Sequence, residues 1–544
     1  MIMQTAKLDL FFLIGKSFIF YWFILLTVTS VGFIFGVGIS NKYSYISFVI
    51  LIGVLYYLYK NFKLTLQITI GLLFFMLISI LLALPIWDFG WDGRDYHFTA
   101  IEALSKGWNP FYLHTLDLFP GYEYNVCVES YPKSNWIFLA NNLRIFQDID
   151  AAKYINYTLL ISSAFILNDF LKNDIKNTIL RLLFIFPILF NPVSMAQINT
   201  LYLDGNLYFL FVIYSIALAN YYYSKSTENF IFLAFITIIL LNLKFTAVIF
   251  IIIGFTLFFI LELIKTKNFN LKLMLKWFTV LALGITVFGF SPYITNTYNH
   301  GNPLYPVIGK DKKNIISSQM NNDFLKLNRF QMFFYSINSN PTNDQRLFPE
   351  LKNPIKISLD LDNYKYNLHD LRVNGFGPLY SMTLFLTMIG LVYALFRRNT
   401  IDKYFMISTM FIIMSFSIPT TWWARLVPMM WAVPIFFSIY FYTKTDKYLK
   451  FLSLIIVFLL LINARLVGMP RLHHDYYRTL KEQHILNNIA GKHVFLSFPS
   501  GIARAGKRTT LHKLDINNVQ YTIIKTSECK SIKKFYDANI CDKI

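Results

Sequence analysis

Charged residues are scarce in this chain. Asp, Glu, Lys and Arg make up 15% of the 544 residues, whereas hydrophobic residues make up 55%. A soluble globular domain carries about 25% charged residues. The composition therefore excludes a soluble protein and indicates one that crosses a membrane many times. We expect an all-α polytopic membrane protein.

Acidic residues are also fewer than basic ones. The chain has 30 Asp and Glu against 50 Lys and Arg, which gives a formal net charge of +20. A basic balance of this kind also occurs in proteins that bind nucleic acid. In a membrane protein, however, basic residues collect in cytoplasmic loops and contact anionic lipid. We therefore expect membrane lipids as partners and no nucleic acid.

Cysteine is the third scarce residue type, with three in the chain: Cys127, Cys529 and Cys541. This number excludes a disulfide-rich scaffold. In an oxidising compartment Cys529 and Cys541 could pair across a short loop. The sequence leaves open whether they form a disulfide or stay free thiols, because it does not supply the geometry of the pair.

Long apolar runs alternate with lysine and arginine along the chain. A spanning helix needs roughly 20 apolar residues, and basic residues mark its cytoplasmic end. Both rules together predict about thirteen transmembrane helices, with a cytoplasmic N-terminus and an extracytoplasmic C-terminus. No small-residue cleavage site follows the first apolar run, so we expect this run to be retained as a helix. The transmembrane domain covers residues 1–467, with large outer loops at about 87–135 and 293–375.

The last part of the chain, residues 468–544, is more polar than the rest. It combines a polar helical stretch at 475–490 with strand-like runs at 493–498 and 519–524. Because the preceding span is predicted to run outwards, we expect these residues to form a small, soluble α/β domain on the extracytoplasmic side.

The stretch from Trp87 to His97 follows a long apolar run and contains three carboxylates, an arginine and a histidine. Asp92 and Asp95 stand three residues apart, which places them on one face if the segment turns into a helix. Two such acids can act as a base with an acid partner, or can bind a divalent cation. An acidic loop beside a membrane is also often only solvated. The tryptophans and Tyr96 at the end of a span favour a functional interpretation.

Three further charged residues fall at predicted membrane boundaries. Asp204 lies in a short outer turn, where it can serve a site or cap the next helix. Lys244 divides the apolar region 230–263 into two short helices. A lysine there needs an anionic partner, such as a phosphate or a carboxylate, or must extend to the interface. Arg425 follows two tryptophans and suits either a lipid phosphate or an interfacial anchor.

Together these motifs resemble the GT-C superfamily of polytopic glycosyltransferases, which use sugars linked to lipid phosphates. The resemblance covers residues 1–440 or thereabouts, and a soluble domain after the last span is common in such enzymes. Its motifs are the acidic stretch 91–97, followed by 100–104, 107–110, 202–204, 243–246, 301–303 and 425–428. Each motif is loose by itself, and their order along the chain carries the likeness.

The resemblance implies an inverting transfer of a sugar from a polyprenyl-phosphate donor to a glycan, lipid or protein acceptor. We expect the reaction on the outer face of the bacterial inner (plasma) membrane. In the family, a loop aspartate removes the proton from the acceptor. Asp92, four residues before Tyr96, has the spacing of the bacterial members, whereas Asp95, directly before Tyr96, has that of the dolichol-using branch. Both acids stay candidates for the base.

The resemblance also implies which residues bind substrate. Lys244 and Arg425 would stabilise the leaving phosphate, and Asp204, Tyr96 and His97 would complete the binding site. Family members that use a monophosphate donor generally need no metal. We therefore expect no required cofactor and no metal ligands, although the number of acids leaves a divalent cation open.

Three alternatives compete with this interpretation. A glycan polymerase or ligase is the nearest one among enzymes, and a lipid-linked sugar flippase or transporter comes from another class. Transporters usually show internal repeats and helices interrupted near the midplane. The sequence shows no such repeat, and its acids are predicted at the outer face, which favours an enzyme. In the third alternative, a non-catalytic scaffold, Asp92 and Asp95 would be replaceable.

Overall fold

The structure is a computed structural model of the chain. It describes residues 9–114, 124–268, 270–313, 319–342, 344, 346–352, 369–398, 400–498 and 506–543. These residues form a mostly helical protein with a small β-sheet near the C-terminus.

Helices predominate because a helix pairs its backbone N–H and C=O groups internally, as a chain in lipid must. The first half of the chain forms α1 (Leu10–Ile34), α2 (Lys42–Tyr59), α3 (Phe62–Ala83), α4 (Phe98–Ser105), α5 (Asn125–Ser130), α6 (Ser134–Phe146), α7 (Ile149–Ala152), α8 (Tyr154–Leu171), α9 (Thr178–Leu189), α10 (Pro192–Gln197) and α11 (Asp204–Ser224). The second half forms α12 (Thr227–Leu241), α13 (Phe245–Thr266), α14 (Leu271–Leu283), α15 (Thr295–His300), α16 (Asn322–Leu325), α17 (Arg329–Asn338), α18 (Tyr380–Phe396), α19 (Lys403–Ser417), α20 (Val433–Thr443), α21 (Lys447–Ile489) and α22 (Lys507–Ile516). Single π-helical turns lie at Gly93–His97, Gly284–Phe288 and Phe290–Ile294, and 3₁₀ turns lie at Ala424–Leu426, Pro428–Ala432 and Thr526–Glu528.

Seven helices are long and apolar enough to cross a membrane, judged by length and composition over the described ranges. They are α1, α2, α3, α11, α13, α14 with the π-helical turn that follows it, and α21. Four shorter apolar helices, α9, α12, α18 and α19, accompany them. This content indicates an integral, multi-pass membrane protein. The finer number of about thirteen spans stays a prediction.

Helices α1 and α11 are the most buried of the seven candidate spans. Most of each is buried against other helices, whereas α2, α3, α13 and α14 have at most about a third of their residues fully buried. Helix α1 packs against α2, α3, α8 and α12, and α11 packs against α8 and α12. Apolar side chains that face outwards are what contact with lipid requires, so the outer helices are the lipid-facing ones.

The apolar region 230–263 divides where the sequence predicts a break. Helix α12 ends at Leu241, and α13 begins at Phe245. The amide of Asn242 donates to the carbonyl of Gly284 at 2.9 Å, which anchors the break to a neighbouring segment. Lys244 directly precedes α13 and has an extended backbone (φ −157°, ψ 142°), so it stands outside both helices.

The C-terminal residues form a four-stranded sheet with the order β2-β1-β4-β3. Its strands are β1 (His493–Ser497), β2 (Gln520–Ile523), β3 (Cys529–Phe535) and β4 (Ala538–Lys543). Strand β1 pairs in parallel with β2, and β4 pairs antiparallel with both β1 and β3. The first two strands coincide with the strand-like runs seen in the sequence. Helix α22 lies between them along the chain, so the predicted α/β character is confirmed.

The structure also shows whether Cys529 and Cys541 are paired. A disulfide joins Cys529 to Cys541, with their Cα atoms 5.0 Å apart on the paired strands β3 and β4. Cys127 is a buried free thiol. A disulfide is typical of proteins outside the cytoplasm, which is consistent with an extracytoplasmic position for this part of the chain.

Helix α21 connects the membrane part to the sheet. It runs unbroken from Lys447 to Ile489 and so passes through the predicted domain boundary at 467–468. Its last turns contribute Leu486 to an apolar cluster that includes residues of the sheet. Trp87 and Phe89 belong to the same cluster. The C-terminal unit is therefore packed directly against the first predicted outer loop.

Candidate active site

The loop between α3 and α4, here called the acidic loop (residues 87–97), contains two close approaches that depend on glycine. A Cβ atom at Gly90 would clash with the ring of Tyr202, and a Cβ atom at Gly93 would clash with the carboxylate of Asp88. Closely packed protein interiors do not accommodate such overlaps without a shift of the backbone. The two glycines therefore let the acidic loop fold tightly against the segment that precedes α11.

Asp88 is a buried carboxylate for which the sequence predicted no individual role. Its Oδ2 accepts a hydrogen bond from the backbone N of Leu201 at 2.8 Å, and its Oδ1 accepts one from the backbone N of Gly90 at 2.6 Å. Burial raises the pKa of Asp88 to about 7, against the lowering effect of Lys153 and of these hydrogen bonds. Asp88 therefore joins the acidic loop to the turn before α11.

The guanidinium of Arg425 is the centre of a set of ion pairs, here called the Arg425 cluster. Its Nη2 lies 2.8 Å from Asp92 Oδ2, and its Nε lies 3.5 Å from Asp204 Oδ2. Its Nη1 contacts Asp370. Burial would lower the pKa of Arg425, but the three carboxylates outweigh it and raise this pKa well above its ordinary value. Arg425 is therefore charged, although its side chain is only 12% exposed.

Lys244 joins the cluster through Asp204. Its ammonium forms an ion pair with Asp204 Oδ1, and Gln197 Nε2 donates to Asp204 Oδ2 at 3.2 Å. Asp204 is the first residue of α11 and not its N-cap, and a negative charge there interacts favourably with the helix dipole. A carboxylate of this chain thus supplies the anionic partner that the lysine requires. The Lys244 side chain stays 24% exposed.

Aromatic rings surround the cluster. The rings of Tyr202 and Trp423 lie 4.9 Å and 5.2 Å from the Arg425 guanidinium, distances that suit cation–π contacts. Tyr96 Oη donates to Asp92 Oδ2 at 3.4 Å, and the backbone N of Asp92 donates to Tyr202 Oη at 3.3 Å. Burial raises the pKa of Tyr96 well above its ordinary value, so its hydroxyl stays protonated. These rings displace water, which strengthens the ion pairs.

His97 and Asp95 lie on the π-helical turn that follows Asp92, and both are buried. His97 Nδ1 accepts a hydrogen bond from Trp136 Nε1 at 2.8 Å. Burial lowers the pKa of His97 to about 3, so its ring is neutral at physiological pH. Asp95 is 1% exposed, whereas the side chain of Asp92 keeps 15% of its exposure. Asp92 is therefore the more accessible of the two candidate bases.

Asp370 belongs to the Arg425 cluster and His369 adjoins it, and neither residue was predicted from the sequence. Asp370 contacts Arg425 and also pairs with Arg372 at 2.8 Å. The buried ring of His369 lies beside it along the chain, with Nε2 2.9 Å from Asp475 Oδ2. Burial lowers the pKa of His369 to about 4, and Arg471 lowers it further. No local signal distinguishes these two residues, because they lie in a long polar segment of the sequence.

The structure thus brings four of the seven predicted site residues into one set of ion pairs: Asp92, Asp204, Lys244 and Arg425. Tyr96 joins them by a hydrogen bond, and Asp95 and His97 lie on the adjoining turn. Within the described ranges, no group of three or more His, Cys, Asp or Glu side chains is arranged to hold a metal ion.

The cluster combines a partly exposed carboxylate with two partly exposed cations. A carboxylate can accept a proton from a hydroxyl group, and guanidinium and ammonium groups can bind anionic oxygen atoms. No protein-family model, curated protein or solved structure matches this chain. The geometry of the cluster and the resemblance of the motifs are therefore the grounds for a functional assignment.

Proposed function

We propose that this protein is a GT-C-like glycosyltransferase with about thirteen membrane spans. It moves a sugar from a polyprenyl-phosphate-linked donor to a glycan, lipid or protein acceptor on the outer face of the membrane. One observation carries the proposal. The Asp92 carboxylate lies 2.8 Å from the Arg425 guanidinium, which shares Asp204 with Lys244, among the ends of apolar helices. A base and two anion-binding groups are thus adjacent.

In the proposed reaction, Asp92 takes the proton from the acceptor hydroxyl. The acceptor oxygen forms a bond to the anomeric carbon while the bond from that carbon to the phosphate oxygen breaks. The polyprenyl phosphate leaves with the electron pair, and the configuration at the carbon inverts. A positioned base contributes about 10²- to 10⁴-fold to such a reaction. The greater exposure of Asp92 supports this residue over Asp95 as the base.

Arg425 and Lys244 stabilise the leaving phosphate in this proposal. Both cations are paired with carboxylates of the chain itself, so a donor phosphate must compete with those carboxylates. When the phosphate binds Arg425, it weakens the contact of Arg425 with Asp92, which leaves the Asp92 carboxylate free to accept a proton. The aromatic rings exclude water from the site, so the two cations interact strongly with the charge that develops on the phosphate.

The test is the substitution Asp92→Asn in the full-length protein, reconstituted in nanodiscs. Synthetic decaprenyl-phosphate sugars are the donors, and envelope glycans and lipids of the producing cells are the acceptors. We expect sugar transfer to fall by about 10²- to 10⁴-fold, because an amide cannot take the proton. Binding of decaprenyl phosphate should persist, since Arg425 and Lys244 are intact. Formation of labelled product and release of the lipid phosphate are measured.

Two control variants accompany this test. Asp323→Asn changes an exposed carboxylate that forms an ion pair with Lys326, and it should transfer like the unchanged protein. Asp95→Asn tests the rival base. Full transfer by Asp92→Asn would remove this residue as the base. Absence of transfer by the unchanged protein with every donor sugar would contradict the proposed function.

A further inference from the structure

The turn between β3 and β4 contacts the acidic loop directly. It consists of Tyr536 and Asp537, here called the hairpin tip. The ring of Tyr536 meets the rings of Trp87 and Phe89 edge-on, at centroid distances of 5.6 Å and 5.5 Å. Its hydroxyl donates to the backbone carbonyl of Asp88. Tyr536 is 7% exposed, so the hairpin tip is inserted into the loop and does not merely touch it.

The hairpin tip also holds the second half of the acidic loop. Asp537 forms an ion pair with Arg94, and both side chains are largely buried. The Arg94 guanidinium lies 5.3 Å from the ring of Tyr536. On the same side, Thr509 Oγ1 of α22 donates to the backbone carbonyl of Arg94 at 2.7 Å. The C-terminal unit thus holds both the side chain and the main chain of Arg94.

These contacts lie on both sides of the candidate base along the chain. Asp88 precedes Asp92 by four residues, and Arg94 follows it by two. When both positions are held, few conformations of the segment between them remain available. The carboxylate of Asp92 can then keep its place beside Arg425. A displacement of about 1 Å at a reacting group can reduce a rate by about 10²-fold, so holding this segment bears on catalysis.

The geometry of the hairpin sets the position of its tip. Phe535 pairs with Ala538, which leaves a two-residue turn. Tyr536 has a φ of +52°, a conformation that bulky side chains rarely adopt and that glycine or asparagine would fill more easily. The contacts of Tyr536 with the acidic loop offset the cost of this conformation. At the opposite end of the hairpin, the Cys529–Cys541 disulfide joins the two strands.

We propose that the β3–β4 hairpin is a positioning element for Asp92, in which Tyr536 and Asp537 hold the acidic loop in its reactive conformation. The proposal rests on the proposed function, because it assigns the C-terminal unit a part in the same reaction. Neither residue contacts the reacting atoms. Both act through the main chain of the acidic loop.

The first test is hydrogen–deuterium exchange of the full-length protein in nanodiscs, which requires no substrate. For Asp537→Asn, we expect amides at 88–95 to exchange about tenfold faster, whereas amides of β1 exchange as before. Arg94→Gln should give the same result, and the double variant should add little, because both changes remove one ion pair. Lys533→Gln, an exposed lysine on β3, is the control and should leave both segments unchanged.

The second test measures sugar transfer by Asp537→Asn and by Tyr536→Phe, which keeps the ring but loses the hydroxyl. We expect kcat to fall about 10- to 100-fold, since the base is misplaced. KM for the decaprenyl-phosphate sugar should stay unchanged, because Arg425 and Lys244 are untouched. A loss of folded protein would also lower the apparent kcat without changing KM, so kcat is calculated per folded protein, with the folded fraction measured by size-exclusion chromatography and thermal unfolding.

Three results would overturn the proposal: unchanged exchange at 88–95, an equal rise of exchange in β1, or an unchanged kcat in variants whose loop exchanges faster. An equal rise in β1 would mean that the C-terminal unit unfolds as a whole. If the unchanged protein transfers no sugar, the proposed function fails and the positioning proposal fails with it. Faster loop exchange alone would then assign the hairpin a structural role only.

Discussion

The Arg425 cluster and the ion pairs around Asp150 are both built from buried charges, but they differ in access. Asp150 Oδ1 lies 2.7 Å from Lys153 Nζ, and Asp150 Oδ2 contacts Lys513 of α22. These three side chains are at most 2% exposed. Lys153 also donates to the carbonyl of Ile86 at 2.6 Å. The charges around Asp150 are therefore satisfied within the protein and join the C-terminal unit to the bundle.

The Arg425 cluster keeps part of its charge accessible. The side chains of Arg425, Asp92 and Lys244 are 12%, 15% and 24% exposed. Removing charges from water is costly in both places, and the pairing offsets that cost. The difference teaches that burial of paired charges does not by itself mark a functional site. Residual access to the paired groups is what distinguishes a candidate site.

The largest effect on stability should follow the loss of charge at Asp150. The substitution Asp150→Asn leaves Lys153 and Lys513 buried without their carboxylate, which costs about 3–5 kcal/mol of unfolding free energy. The midpoint of thermal unfolding in detergent should fall accordingly, while transfer by the protein that stays folded is retained. Asp148→Asn, at a carboxylate that is 30% exposed and 3.6 Å from Lys513, is the matched control with a smaller effect. If Asp150→Asn lost transfer without losing stability, the ion pairs around Asp150 would not be purely structural, and the contrast with the Arg425 cluster would fail.

A smaller effect is expected at Lys244. The substitution Lys244→Met removes one of the two cations for the donor phosphate, and a hydrogen bond to a charged group contributes about 1.5–3 kcal/mol. We expect KM for the decaprenyl-phosphate sugar to rise about 10- to 100-fold in steady-state transfer assays. Lys225→Met removes a lysine that pairs with Glu262 at 2.6 Å and should leave KM unchanged. An unchanged KM in Lys244→Met would mean that Lys244 only pairs with Asp204 and does not bind the donor phosphate.

A third effect is a pH dependence of stability at Asp88, which joins the acidic loop to the turn before α11. Burial raises its pKa to about 7 in the folded protein, whereas an unfolded aspartate titrates near about 3.9. The folded state therefore keeps a proton that the unfolded state releases between about pH 4 and pH 7. This contribution to stability is present below about pH 4 and is lost as the pH rises towards 7, by at most about 1.4 kcal/mol per pH unit.

The variant Asp88→Asn isolates this effect, because an amide does not titrate. Thermal unfolding midpoints of both proteins should be measured between about pH 5 and pH 8. We expect the midpoint of the unchanged protein to fall relative to that of the variant up to about pH 7 and to run parallel to it above. Parallel curves over the whole range would show that Asp88 is charged in the folded protein.

Local signals were sufficient for the helices and for much of the site. Apolar runs of about 20 residues predict spanning helices, and a lysine within the region 230–263 predicts the break before α13. Asp92, Asp204 and Arg425 could be selected because each is a charge at the end of an apolar run. The structure places all three in one set of ion pairs.

Other parts of the site have no local signal. Asp370 belongs to the Arg425 cluster, but it lies 55 residues before Arg425 in a long polar segment. Tyr536 lies 448 residues after the carbonyl of Asp88 that it binds. Neither residue differs in its neighbours along the chain from an ordinary surface residue. The contribution of the C-terminal unit to the acidic loop was therefore not predictable.

The sequence by itself determined the multi-pass helical character, strands β1 and β2, and which charges stand at the ends of apolar runs. These properties depend on residues within a few turns of one another, through hydrophobic periodicity and the cost of a charge in lipid. The tertiary structure alone decided which of those charges meet and which stay accessible. An ion pair such as that of Arg425 with Asp92 forms only when the packing of apolar helix surfaces brings two distant segments together, and local sequence does not encode that placement.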